Sequence, residues 1–122
     1  MNVWNRNMSS MEKLSEALDL DMTSCRRIGL VGGGGKTTAL FRLAREALES
    51  GLRVIITTTT HMKMERGIPR LVDAQPEAVA EALTQSPIVM TGCRDPKNPE
   101  KISGVSEEML QAYEKLANLV LV

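Results

Sequence analysis

Aromatic side chains are almost missing from this chain. Trp4, Phe41 and Tyr113 are the whole set in 122 residues, so no row of rings offers a platform for stacked bases. Net charge is missing as well. Fifteen basic residues balance fifteen acidic ones, which excludes the basic footprint of a nucleic-acid binder and leaves any phosphate contact to one local site. Cysteine is scarce: Cys25 and Cys93 stand alone without CxxC spacing, and nothing at the N-terminus reads as a signal peptide. A cytoplasmic location is the expectation. No apolar run approaches the roughly 20 residues that a membrane-spanning helix needs, so no membrane partner is expected. What remains is an ordinary globular balance, 43% apolar and 25% charged, and a length that suits one small α/β domain.

Ser9 or Ser10 caps a short amphipathic segment carrying Met11, Leu14, Ala17 and Leu18, and a polar connection follows from Asp19 to Arg27. Residues 1–27 are therefore expected to be a leader helix and linker, and residues 28–122 the N-terminal portion of a nucleotide-binding domain. Ile28 to Val31 is a short apolar run that stops at four glycines, the pattern of a buried strand feeding a tight loop. Leu40, Leu43, Ala44, Ala47 and Leu48 then recur at helical spacing until Gly51, and Val54 to Thr58 is a β-branched strand. Such a strand, helix, strand unit is right-handed with parallel strands.

Residues His61 to Val72 lack a clean period and are expected to form a mobile loop. A helix from Pro76, a third strand Ile88 to Thr91, an exposed loop Gly92 to Gly104 and a helix capped by Ser106 follow, with Glu107 and Glu108 at its positive end. Asn118 to Val122 begins a fourth apolar strand. The expected fold is α/β: a three-layer P-loop NTPase-like parallel sheet with helices on both faces, incomplete at the C-terminus.

Binding a triphosphate takes backbone N–H groups that point inward unobstructed, and the positive end of a helix beneath them. Gly32, Gly33, Gly34 and Gly35 meet both needs. Lys36 would place an ammonium on the β and γ phosphates and is the candidate catalytic residue. Thr37 would offer a hydroxyl to Mg²⁺, and Thr38 would reach the α phosphate. The strict Walker A pattern opens with a glycine where this chain has Leu30, so the loop is a variant. No residue favours adenine over guanine, and ATP and GTP are both carried as cofactors with Mg.

Thr57 to Thr60 fall at the carboxyl end of the second strand, the edge where ligands sit in open parallel sheets. Thr58 and Thr59 are candidate contacts for the nucleotide, against the plain alternative that threonine suits strands. His61 is either a ligand or a solvated loop residue. Cys93 is expected to be structural. Hydrolysis also needs a carboxylate at a neighbouring strand end, and neither the threonines of strand two nor Thr91 to Cys93 of strand three offers one.

The G-G-G-G-K-T-T loop, the T-T-T-T-H-M run and the late S-G-V-S-E-E helix leading to L-V-L-V together resemble the YqeC family, accessory proteins of selenium-dependent molybdenum hydroxylases. The resemblance implies a truncated member whose acidic segment would follow Val122. It also implies a role in maturing the hydroxylase or its cofactor, with the hydroxylase or a maturation protein as partner. Three readings stay open: a Mg-dependent NTP-binding accessory protein of P-loop NTPase class, a nucleotide-gated binding module in which the ordered segment is His61 to Val72, and a remnant whose unfinished fourth strand exposes apolar surface.

Overall fold

A computed structural model describes residues 27–29, 36–63 and 67–122. The leader helix and linker expected before Arg27 lie outside the described residues. Ten elements follow in order among the described residues: β1 (Arg27–Ile28), α1 (Lys36–Glu49), β2 (Val54–Ile56), β3 (His61–Lys63), β4 (Arg70–Val72), α2 (Pro76–Gln85), β5 (Ile88–Arg94), β6 (Lys101–Ser103), α3 (Glu107–Leu116) and β7 (Leu119–Leu121).

The apolar strands line up as rungs. Val54, Ile88 and Leu119 share one level, Ile55, Val89 and Val120 the next, and Ile56, Met90 and Leu121 the third. Because successive strand side chains point to opposite faces, the middle rung separates from the other two. Val54, Ile56, Met90, Leu119 and Leu121 pack with Leu40, Leu43, Ala44 and Ala47 of α1. Ile55, Val89 and Val120 pack with Val79 and Leu83 of α2 and with Leu110 and Tyr113 of α3. This is the expected three-layer α/β arrangement, with one helix on one face and two on the other. Strand residues buried on both faces read as continuous apolar runs, which is why Val54–Ile56 and Leu119–Leu121 show no alternation. Each such side chain contributes about 1.5–3 kcal/mol when fully buried.

Five strands run parallel in the order β1-β7-β2-β5-β4. β5 continues beyond β2, and there Cys93 and Arg94 pair antiparallel with Ser103 and Ile102 of β6, which in turn pairs antiparallel with β3. The Gly92 carbonyl accepts the Asp73 N–H on the β4 side, while the Cys93 carbonyl lies 3.5 Å from the Ser103 hydroxyl. The peptide groups therefore place β6 on the β2 side, taking over where β2 ends. Gly92 permits this approach: a Cβ there would lie 3.0 Å from the Ile102 side chain.

Several expectations change. His61 to Val72 is not a featureless loop, since β3 and β4 stand at its ends, and Gly92 to Gly104 is not one either, since β5 runs to Arg94 and β6 follows. These strands are three residues long or polar, so they exist through pairing with distant neighbours rather than through local pattern. Arg27, assigned to the linker, is the first residue of β1. Its guanidinium donates to both oxygens of Glu107, at 2.9 and 2.6 Å, and to Glu114 at 2.9 Å, tying β1 to α3. The remnant reading would expose apolar surface at the last strand, whereas Leu119, Val120 and Leu121 are fully buried, with β7 lying between β1 and β2.

Candidate functional site

α1 begins at Lys36, directly after the four glycines. The first N–H groups of a helix have no partner within it, and the aligned peptides make that end positive. In α2 and α3 the first turn carries acids, Glu77 in one and Glu107 and Glu108 in the other, whereas α1 has none. α3 is also capped internally, because the Ser106 hydroxyl accepts the Met109 N–H at 3.2 Å. Its Glu107 carboxylate is held below the ordinary carboxylate range by the hydrogen bond from Arg27. The start of α1 has no such acid of its own.

Gly32, Gly33, Gly34 and Gly35 lie outside the described residues. Lys36 and Thr37 are described by their backbone, as the first two residues of α1, and Thr38 is exposed in the same turn. β1, which leads into the glycines, pairs in parallel with β7, and the Val122 N–H donates to the Ile28 carbonyl at 3.0 Å. The carboxyl end of β7 is thus the neighbour of the strand that feeds the loop.

The four threonines after β2 divide. Thr57 is fully buried and its hydroxyl has no hydrogen-bond partner among the described residues. Thr58 is buried too, and its hydroxyl accepts the Thr60 N–H at 3.1 Å, so it shapes the turn out of β2. Thr59 and Thr60 are exposed at the carboxyl edge. The chain returns close over them: the Val105 N–H donates to the Thr58 carbonyl at 2.9 Å, and a Cβ on Gly104 would come within 2.3 Å of the Thr59 carbonyl oxygen. Only a glycine fits at 104 with this turn in place. His61 opens β3 and pairs with Ser103.

Cys93, expected to be structural, is an exposed free thiol. The end of β5 also differs from the sequence expectation, because the strand stops at Arg94 and the next residue is Asp95, a buried carboxylate that accepts the Lys97 N–H at 2.9 Å. β5 stands three strand steps from β1, roughly 14 Å at the ordinary spacing of about 4.8 Å. Asp95 therefore does not end a strand adjacent to the one that feeds the glycines. The early end assigned to this strand hid it, and the extended stretch through Gly92 and Cys93 was the signal. Among the described residues no cluster of three or more His, Cys, Asp or Glu side chains is arranged to hold a metal. No helix among them is long and apolar enough to cross a membrane.

A family model described as YqeC protein matches residues 28–122. An uncharacterized protein YqeC from Escherichia coli (strain K12) is 38% identical over 100 residues, which is 79% of this chain and 39% of that relative. The chain thus spans well under half the length of the relative. No solved structure matches it. The chain belongs to the YqeC family.

Proposed function

We propose that this YqeC-family chain binds ATP or GTP with Mg²⁺ at Gly32 to Thr38, as the nucleotide-binding portion of an accessory factor for a selenium-dependent molybdenum hydroxylase or its cofactor. The observation that carries the binding assignment is the start of α1: it follows four glycines at once, and no acid in its first turn competes for the positive helix end. Lys36 would pair with the β and γ phosphates, and the loop's N–H groups would hold the remaining oxygens. Mg²⁺, when bound, would neutralise charge on those phosphates, with the Thr37 hydroxyl among its ligands. The exposed Thr59, at the end of β2, lies on the edge where the γ phosphate or an acceptor would stand. Thr58 contributes by shaping the turn that presents it.

Binding is tested by thermal unfolding in excess Mg-ATP or Mg-GTP. A ligand at about 100 times its dissociation constant stabilises the folded state by about 2.7 kcal/mol, and that shift should fall to about 0.4–1.4 kcal/mol in Lys36→Ala for an affinity lowered a hundredfold to tenfold. An unchanged melting temperature in wild type at millimolar nucleotide would remove the assignment. The accessory role rests on family resemblance, and its test is hydroxylase activity in cells whose only copy of the gene carries Lys36→Ala: activity equal to wild type would exclude it.

A further inference from the structure

At the carboxyl edge of the sheet, on the flank away from β1, the last residues of β4 and β5 and the first residue of β6 surround an open cleft of about 460 Å³. Its lining is Val72, Arg94, Asp95, Pro96, Pro99 and Lys101, and the buried Asp95 carboxylate accepts the Lys97 N–H. The volume falls in the range of small-molecule sites, which combine apolar walls with a few fixed polar groups. Val72 is the one large apolar side chain exposed among the described residues, at 38%, and it faces this cleft.

Two cations, Arg94 and Lys101, stand exposed at this cleft. Ion pairs among the described residues join Arg27 to Glu107 and Glu114, and Arg42 to Glu46, leaving the side chains of Arg94 and Lys101 without a partner there. With the lining Asp95 carboxylate buried, the two exposed positive groups leave the cleft a net positive charge that an anion would offset. The backbone that carries them is fixed. The Arg94 N–H donates to Asp73 Oδ1 at 2.9 Å, and Asp73 holds a left-handed φ of 55° while its own N–H bonds the Gly92 carbonyl. Across the loop, the Lys97 N–H bonds Asp95, the Glu100 N–H bonds Asn98 Oδ1 at 3.0 Å, and the Lys101 N–H bonds the Asn98 carbonyl. A loop of this kind presents its wall already formed, which lowers the ordering cost of binding.

We propose that this cleft binds a small organic oxyanion, a carboxylate or a phosphate ester, with Arg94 and Lys101 on its charged group and Val72, Pro96 and Pro99 against its apolar part. The site is distinct from the phosphate loop, since β7 and β2 lie between β1 and β5. It stands whether or not the loop binds nucleotide.

The test is a titration of the whole ¹⁵N-labelled chain with phenyl phosphate, with benzoate and with uncharged benzyl alcohol, followed by amide chemical shifts. Saturable shifts at Arg94, Lys97 and Lys101 with either anion, retained in Lys36→Ala, are expected. Arg94→Ala and Lys101→Ala should each weaken binding by about tenfold or more, the scale of a lost charge-assisted hydrogen bond, while their spectra show the same fold. Phenyl phosphate alone would mark a phosphate ester as the ligand class, and benzoate alone a carboxylate. Equal binding of benzyl alcohol, equal binding by the two alanine variants, or shifts confined to the start of α1 would each overturn the proposal.

Discussion

Two helix starts on the same sheet are built in opposite ways. α3 opens with Ser106 closing on the Met109 N–H, two acids in its first turn, and Arg27 of β1 bonded to one of those acids and to Glu114. Its positive end is met from within the chain. α1 opens with Lys36, Thr37 and Thr38 after four glycines, and its first turn holds no acid. The comparison teaches that an acid-free helix start leaves its positive end to be met by groups outside the first turn, and an anionic ligand is one such group.

The comparison breaks most sharply at Lys36. Lys36→Ala should lower nucleotide affinity by roughly tenfold to a hundredfold, as loss of a charged hydrogen bond implies, while leaving the melting temperature of the free protein in place. Ser106→Ala is the converse: it should cost about 1 kcal/mol of stability in a denaturant titration and leave nucleotide affinity unchanged. Thr38→Glu would give α1 the acid that α3 already has. It should stabilise the free protein by about 0.3–1 kcal/mol and weaken nucleotide binding severalfold, both measured on one preparation. The smallest effect is in the acid limb. Glu107 is held below its ordinary value of about 4.5 by Arg27, so its contribution is fully present above that value and is lost as pH falls through the lower folded value. Glu107→Gln should flatten that limb of the stability profile, and an unchanged profile would show the ion pair to be without consequence.

How much was legible in the chain follows from where the information lies. The two apolar runs Val54–Ile56 and Leu119–Leu121 announced a buried parallel sheet, and Ser106 and Gly51 announced helix ends, because each of these signals is local. β3, β4 and β6 left almost no trace, since His61–Lys63 and Lys101–Ser103 are mostly polar and gain their strand geometry from pairing across the chain. That same omission hid Asp95 and the cleft beside Arg94, which exist only once β5 runs past β2. At the candidate site the glycines and Lys36 were legible as a motif. The division of the threonines was not: Thr57 buried, Thr58 committed to a turn and Thr59 exposed follow from the return of Gly104 and Val105 over the end of β2.

Calorimetric titration of the purified chain with Mg-ATP and Mg-GTP, with Lys36→Ala and Ser106→Ala beside it, tests the central claim most directly. Equal heats of binding in wild type and Ser106→Ala, and an isotherm weakened by roughly tenfold to a hundredfold in Lys36→Ala, are the result predicted from the start of α1. A folded wild type that releases no heat with either nucleotide, or a Lys36→Ala chain that binds as wild type does, would contradict it.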